Sequence, residues 1–376
     1  PILFTGFGYL LGEAGGDILD MRIDGTVLHH FAEFTLVLVL FTDAASVRIK
    51  QLQHNFFLPA RMLLLGIPLT LLLGYAVAQW VSPQAPWAVA LLVAAILTPT
   101  DAALGQTFVS SPKVPTKLRE AISVESGLND GLAVPIVIVA AILSAKATGT
   151  SFHAAPDNLS QFIAMQLVFG PLVGIALGYA LARLLDRGIA ADYVSDTGRA
   201  IAVLAGALLC FAFAELIGGN GFIAAFVGGL VLGNSLKADK DFIVEFMASE
   251  GQILTMLTFI IFGAILMPIG LEHASWRTLV LAIAFLTIVR MLPVWFALAG
   301  TGLRASHKLC LGWFGPRGLA SVLFALLIDE QFNIPGFEEV LACVVLTVLL
   351  SILLHGVSAT PVARWLGDQP GGDQKQ

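Results

Sequence analysis

The sequence predicts an all-α membrane protein that crosses the bilayer many times. Of its 376 residues, 57% are hydrophobic and 12% are charged, whereas soluble domains carry roughly 25% charged residues. The mean hydropathy is +0.87. Apolar runs of the ~20 residues that a membrane-spanning helix needs recur along the whole chain. This composition excludes the soluble enzyme classes, and the net charge of −6 argues against nucleic acid as a partner.

Taken in chain order, the apolar runs predict about twelve spans. Charged and polar residues separate one run from the next. The spans are expected at 1–12, 28–46, 56–80, 86–108, 118–145, 160–185, 198–217, 221–236, 252–270, 275–299, 308–328 and 337–363.

Basic residues are distributed unevenly between the two sets of alternate loops. Fifteen of the 20 Lys and Arg residues fall in one set, and only three fall in the other. Basic loops of membrane proteins face the cytoplasm, so the rich set, which includes both ends of the chain, is expected there. The sequence therefore predicts a multi-pass protein of a prokaryotic plasma membrane with both termini in the cytoplasm.

The spans form an inverted repeat. Spans two to five and nine to twelve start at positions that differ by 219 to 224 residues, and paired spans run in opposite directions. Inverted repeats are typical of secondary transporters. We expect a first repeat at 1–145 that lacks its first span, a linking span with its loops at 146–197, a second repeat at 198–363 and a short cytoplasmic tail at 364–376. The parent protein would then have about 13 spans.

Each repeat contains one span that a proline interrupts in mid-membrane. The first carries Thr98-Pro99-Thr100-Asp101, and the second carries Gly315-Pro316-Arg317-Gly318 about 219 residues later. Proline removes a backbone hydrogen bond, and unwound backbone at this depth needs protein or water around it. Paired broken helices mark a substrate site near the midplane. Two ordinary proline kinks are the alternative, but the adjacent acid and arginine favour a site.

The span after the first break carries two acids. Glu125 and Asn129 are four residues apart, as are Ser126 and Asp130, so a helix places all four on one broad face. A charged side chain at the bilayer centre costs about 2.5 kcal/mol or more, so both acids must face the protein interior or water. The alternative, a span that begins after Glu125, conflicts with the charged edge that Glu120 already marks.

Five charged residues are expected in one layer of the membrane. Counted from the cytoplasmic ends of their spans, they lie about seven to twelve residues deep, or roughly 10–18 Å. Three acids and two arginines leave one negative charge, which one proton or one small cation would neutralise. The five are Asp101, Glu125, Asp130, Arg290 and Arg317.

We predict Asp130 as the group that exchanges its ligand. Glu125 can be neutralised by Arg290 at nearly the same depth, and a buried pair orients its neighbours without titrating. Oxygen atoms of Thr100 and Ser126 would complete the hard-oxygen site that an alkali cation prefers. Proton and cation would compete for Asp130, and only the neutral, loaded carboxylate would cross the hydrophobic barrier. No cofactor is expected beyond the transported Na⁺ and H⁺.

These residues resemble the electroneutral sodium/proton exchanger branch of the cation–proton antiporter superfamily, the NhaP-like group, over essentially the whole chain. The strongest matches are Thr100-Asp101 and the run Glu125-Ser126-Gly127-Leu128-Asn129-Asp130. Further matches are Leu40-Phe41-Thr42-Asp43-Ala44, Asn220-Gly221-Phe222, Phe226-Val227-Gly228-Gly229, Arg290 and Gly315-Pro316-Arg317-Gly318.

The resemblance implies a mechanism and an assembly. In that family an Asn-Asp pair marks electroneutral exchangers, so Asn129-Asp130 implies one proton per cation. The family's cation ligands map onto Thr100, Ser126 and Asp130, and Glu125 matches the carboxylate that an arginine, here Arg290, holds. The resemblance also implies a homodimer in the lipid bilayer, in which a core domain moves against a scaffold in an elevator-like cycle.

Other positions receive weaker interpretations. Ala102 and Gly127 depart from the family pattern, where Pro and Leu are common. Asp43, near the cytoplasmic end of its span, is expected to cap the helix or pair with Arg48 rather than take part in transport. The seven histidines lie mostly in loops or at span ends, which argues against a histidine pH sensor or metal site. Close helix packing is expected at Gly206, Gly228, Gly229 and Gly233.

Three other functions stay open as alternatives. Potassium in place of sodium is the nearest, because oxygen ligands alone do not fix the size of a site. A cation channel would show several symmetric filter segments, and an intramembrane enzyme would need a nucleophile–base pair or a metal cluster at depth. The sequence shows neither of these, nor a Gly-rich nucleotide motif, so we expect a transporter rather than an enzyme and no nucleotide partner.

Overall fold

A computed structural model describes residues 1–12, 15–16, 25–47, 49, 57–101, 104–150, 159–237 and 240–367. Arg48, Ala102 and the tail beyond Gly367 lie outside these residues. The regular elements in the described ranges are helices, which confirms the predicted all-α class. They are α1 (Ile2–Leu11), α2 (Gly25–Ser46), α3 (Phe57–Val81), α4 (Trp87–Ile96), α5 (Gln106–Val109), α6 (Thr116–Ala147), α7 (Leu159–Ala190), α8 (Asp196–Leu216), α9 (Gly221–Ser235), α10 (Lys240–Ile261, continued to Glu272), α11 (Trp276–Leu286), α12 (Ile288–Ala297), α13 (Ala305–Trp313), α14 (Leu319–Phe332) and α15 (Phe337–Gly367).

The protein is a multi-pass integral membrane protein. Eight helices of the described part are long and apolar enough to cross a bilayer. Four shorter apolar helices, α1, α4, α9 and the apolar part of α14, fall in the other predicted spans. The total of about twelve spans, the division into two inverted repeats and the side on which the termini lie stay predictions.

The two spans that are predicted to break at a proline, at Pro99 and at Pro316, are both interrupted. The first half-helix, α4, ends at Ile96, and the second interruption separates α13 from α14. The two breaks touch: the backbone N–H of Asp101 donates to the carbonyl of Pro316 over 2.8 Å. The hydroxyl of Ser321 donates to the carbonyl of Ile96, also over 2.8 Å. Each broken helix therefore satisfies backbone groups of the other, as unwound backbone in a membrane requires.

Three spans that the sequence presents as continuous are irregular in the structure. Two contain a wide π-helical turn, at Met62–Gly66 in α3 and at Phe262–Leu266 in α10, and each turn is followed two residues later by a proline. A proline lacks an N–H and displaces the carbonyl before it, which explains the widened turns. The third irregularity separates α11 from α12 at Thr287, one turn before Arg290.

Close packing around α9 confirms the role expected for the glycines. At Gly229 and Gly233, a Cβ atom would overlap the backbone carbonyls of Phe41 and Ala45 in α2. Two helix backbones can therefore touch there because no side chain stands between them. Similar contacts join Gly228 to Cys210 and Gly206 to Leu181.

Candidate ion-binding site

A cavity of about 500 Å³ lies beside the two breaks, between α2, α6 and α10. Three carboxylates line it, those of Asp43, Asp101 and Asp130. Part of the remaining wall is polar, with the hydroxyls of Thr42, Ser46, Ser123 and Ser126, and part is apolar, with Phe4, Val39, Met256 and Phe259. An acidic cavity of this kind concentrates small cations near its deepest carboxylate.

Asp130 lies in the middle of α6, in the wall of this cavity, and is 7% exposed. Its Oδ1 atom is buried and accepts no hydrogen bond from the described residues. Burying a carboxylate oxygen without a partner costs free energy. A proton or a cation bound at this oxygen would recover that free energy.

The side chains around Asp130 are connected to one another. The hydroxyls of Thr100 and Ser126 lie 3.1 Å apart, and the amide of Asn129 donates to Thr100 Oγ1 over 2.5 Å. All three are buried. Helical spacing on α6 brings Ser126 and Asn129 to the same face as Asp130, and the break after α4 brings Thr100 against that face. The structure thus brings together the residues that the sequence groups as one site.

Glu125 is held by Arg290 from α12. The Nη1 and Nη2 atoms of the arginine donate to the two carboxylate oxygens over 2.5 and 2.6 Å, and both side chains are almost fully buried. A two-point contact of this kind fixes both groups and neutralises both charges. Gly315 lies against the same guanidinium, where a side chain would overlap it.

Asp101 joins the two broken helices. Its Oδ2 atom accepts the backbone N–H of Leu319, the first residue of α14, over 2.8 Å. Gly318 lies against this carboxylate, and a Cβ there would overlap it. A negative charge at a helix N-terminus is stabilised by the helix dipole. The sequence predicts Asp101 as a transport residue, and in the structure it caps α14 and lines the cavity; its role in transport stays a prediction.

Arg317 is a second fully buried cation, within the break itself. Its Nη1 atom donates to the carbonyl of Gly315 over 2.6 Å, and its backbone N–H donates to Ser351 Oγ over 2.8 Å. Its Nε and Nη2 atoms have no hydrogen-bond partner among the described residues. The arginine therefore places a positive charge behind the acidic cavity.

Asp43 has a position that the sequence does not predict. The structure places it in the cavity wall with Asp101 and Asp130. The expected pair with Arg48 falls on a residue outside the described ranges. The resemblance at Leu40-Phe41-Thr42-Asp43-Ala44 is the signal that points to the site.

The comparison with protein families decides the identity of the fold. A family model described as the sodium/hydrogen exchanger, transmembrane, matches residues 1–365. The chain belongs to this family. The structure of the sodium proton antiporter MjNhaP1 from Methanocaldococcus jannaschii at pH 8 superposes with a TM-score of 0.77 and covers 98% of this chain and 92% of its own. At 21% identity, this similarity shows a shared exchanger fold.

Curated exchanger relatives carry names for two different cations. The chain is 25% identical over 366 residues to the K(+)/H(+) antiporter NhaP2 of Shewanella oneidensis. The aligned region covers 96% of the chain and 62% of the relative. It is 28% identical over 292 residues to the Na(+)/H(+) antiporter NhaH of Halobacillus dabanensis, and that aligned region covers 75% of the chain and 70% of the relative. The chain thus spans less than two thirds of the length of NhaP2.

Proposed function

We propose that this protein is a secondary active transporter that exchanges Na⁺, with Li⁺ as a second substrate, for H⁺ across the membrane. The observation that carries the proposal is the buried Oδ1 atom of Asp130, which has no partner among the described residues and belongs to a side chain that lines an acidic cavity. Membership of the sodium/hydrogen exchanger family supports the same activity.

In this proposal Asp130 binds either the proton or the cation. Hydroxyl oxygens of Thr100 and Ser126, 3.1 Å apart, supply further hard ligands for an alkali ion. Asn129 donates to Thr100 and so orients that hydroxyl. Because one carboxylate holds one ligand at a time, binding of the cation releases the proton and the exchange is electroneutral, one for one.

The other two carboxylates at this depth make contacts within the protein. Glu125 is neutralised by Arg290, and Asp101 caps α14. Neither carboxylate needs to change its charge during the cycle. Asp130 therefore carries the change of charge that couples the two fluxes.

We propose that the cavity opens toward one side of the membrane only, which is the arrangement that alternating access requires. Beyond Asp130 along α6, the ring of Phe226 covers Gly131, and Ala133, Val134 and Val137 are buried. Under the positive-inside rule the open side is the cytoplasm. We propose that a core domain carries the loaded site past this apolar barrier in an elevator-like motion, within a homodimer.

Potassium is the second candidate substrate. The relative NhaP2 is named a K(+)/H(+) antiporter, and the described oxygen ligands do not select the size of the ion. A channel is a third possibility of another class, and it differs from an exchanger because it would carry current.

Proteoliposomes that hold the full-length protein and a pH gradient distinguish these functions. Na⁺, Li⁺ and K⁺ are added separately, and the gradient is followed with a fluorescent pH indicator at several clamped voltages. We expect Na⁺ to dissipate the gradient at a rate that does not depend on voltage. A response to K⁺ alone would reassign the substrate, and a voltage-dependent current would indicate a channel.

The variant Asp130→Asn tests the exchanging residue in the same vesicles. Asn keeps the volume of the side chain but binds neither a proton nor a cation at this site, so exchange should be lost. Gel filtration in detergent checks that the variant folds. Exchange at the wild-type rate in folded Asp130→Asn would contradict the assignment.

A further inference from the structure

His355 lies in the middle of α15 and is 1% exposed. It faces the break between α13 and α14 rather than a loop, although most of the seven histidines lie in loops or at span ends. The indole of Trp313 stacks on its imidazole with ring centres 5.0 Å apart, and Phe314 packs edge-on at 6.3 Å. The proposed exchange mechanism gives this buried polar side chain no role.

The imidazole bridges the two ends of the break. Its Nε2 atom lies 2.8 Å from the carbonyl of Trp313, the last residue of α13. Its Nδ1 atom lies 3.2 Å from the hydroxyl of Ser351, and that hydroxyl accepts the backbone N–H of Arg317 over 2.8 Å. One side chain of α15 is therefore connected to the residue before the break and, through Ser351, to a residue within it.

The imidazole faces a backbone carbonyl on each side. The carbonyl of Trp313 can only accept, so Nε2 is the donor there. Nδ1 lies 2.9 Å from the carbonyl of Ser351 and 3.2 Å from the hydroxyl of the same residue. Because that hydroxyl also accepts the backbone N–H of Arg317, Arg317, Ser351, His355 and Trp313 form one connected series across the break.

This series supports the groups that shape the ion site. The break it holds contains Gly315, which lies against the guanidinium of Arg290, and Pro316, whose carbonyl accepts the N–H of Asp101. Without the imidazole, the carbonyl of Trp313 would keep only the N–H of Gly315 as a donor, and the hydroxyl of Ser351, which accepts the N–H of Arg317, would lose its contact with α13 through the ring. The break would then be free to shift against Asp101 and Arg290.

We propose that His355 is a positioning residue for exchange, whose imidazole braces the α13–α14 break and thereby holds Arg317 and the Pro316–Asp101 contact in place. Its consequence for transport rests on the proposed function, whereas the brace itself does not. His355 touches neither the cation nor Asp130, so its substitution should act through the geometry of the break.

Two substitutions at His355 separate hydrogen bonding from packing. Gln has an amide donor for Trp313 and an amide oxygen for Ser351, so His355→Gln should keep the brace. His355→Leu fills the space without hydrogen bonds and should lower cation exchange by about tenfold, the equivalent of one buried hydrogen bond. Because the proposed role is positional and involves no transfer of a proton, the pH dependence of exchange by His355→Gln should coincide with that of the wild type.

Ser351→Ala provides a second test, matched by Thr347→Val on the same helix. Ser351→Ala removes the hydroxyl between Arg317 and His355, so it should reproduce the defect of His355→Leu. The hydroxyl of Thr347 is equally buried but donates only to Cys343 within α15, so Thr347→Val should leave exchange unchanged.

Hydrogen–deuterium exchange of the purified full-length protein measures the brace without any transport assay. We expect faster deuterium uptake in peptides that cover residues 313–319 for His355→Leu and Ser351→Ala, and wild-type uptake for His355→Gln and Thr347→Val. Unchanged uptake in His355→Leu would refute the brace even if the wild type transports no cation. Faster uptake with undiminished exchange, or a Gln variant as defective as Leu, would refute the positioning role.

Discussion

At the scale of single residues, the Glu125–Arg290 pair offers the clearest test of how the buried charges are compensated. Removing one member of a buried pair leaves the other charge alone and typically costs about 3–5 kcal/mol. We expect Glu125→Gln to lower the midpoint of thermal unfolding in detergent, because Arg290 would then lose its opposite charge and one of its two acceptor oxygens. The midpoint is measured by tryptophan fluorescence.

The double variant Glu125→Gln with Arg290→Met is the matched control. It removes both charges at once, so the midpoint should recover most of the loss. A double variant as unstable as the single one would mean that the fold needs these side chains for more than mutual neutralisation.

A variant of Asp43 tests how the negative charge of the cavity, rather than the ion-binding site itself, affects transport. Its carboxylate lines the cavity together with Asp130, so Asp43→Asn should weaken the attraction of a cation by about 1 kcal/mol, the size of one partly screened charge interaction. We expect about a fivefold higher KM for the cation at an unchanged maximal rate.

Ionic strength distinguishes this effect from a structural one. Choline chloride screens charges that solvent reaches, so the difference between wild type and Asp43→Asn should shrink as it is added. A loss of maximal rate that salt does not alter would show that Asp43 acts within the transport step.

At the scale of helices, the contact of α9 with α2 depends on residues that have no side chain. A Cβ at position 229 would overlap the carbonyl of Phe41, and overpacking of this kind typically costs about 1–3 kcal/mol. We expect Gly229→Ala to lower the thermal midpoint measurably. Gly6→Ala in α1 makes the same chemical change where nothing lies within 4 Å, so it should have no such effect. Equal midpoints for the two variants would contradict the packing account.

The same scale shows which features the sequence predicts and which it does not. Both proline breaks are predictable because a charged residue lies close to each proline, at Asp101 and Arg317. Pro135 and Pro171, without such neighbours, lie inside continuous helices. The pairing of Glu125 with Arg290, 165 residues apart, is predictable because a charge at this depth needs an opposite charge. The break at Thr287 is not, since no residue there forbids a helix.

Contacts between side chains of different helices are harder to predict from the sequence. Asp101 caps α14, and His355 reaches the carbonyl of Trp313, but both contacts depend on how the broken helices cross. Spacing along a helix gives the face on which a side chain lies and leaves its partner in another helix undetermined. The ion ligands on α6, by contrast, are predictable, because they share one helical face.

At the scale of the whole molecule, the distribution of basic residues predicts which side of the membrane the cavity opens to. Ser123 is exposed in the cavity near the first turns of α6, close to the basic residues Lys117 and Arg119. Lys146 is exposed at the other end of the same helix. We expect a membrane-impermeant maleimide to label Ser123→Cys only in inside-out vesicles and Lys146→Cys only in right-side-out vesicles.

The native cysteines favour this measurement. Cys210, Cys310 and Cys343 are all buried, so they should contribute little background labelling. Because α6 is long enough to cross the bilayer, its two ends must react from opposite sides whichever orientation holds. Labelling of Ser123→Cys from outside, with Lys146→Cys from inside, would reverse the topology and place the open cavity on the outer face. Labelling of both variants from one side would contradict the assignment of α6 as a membrane span, and with it the position of Asp130 in mid-membrane.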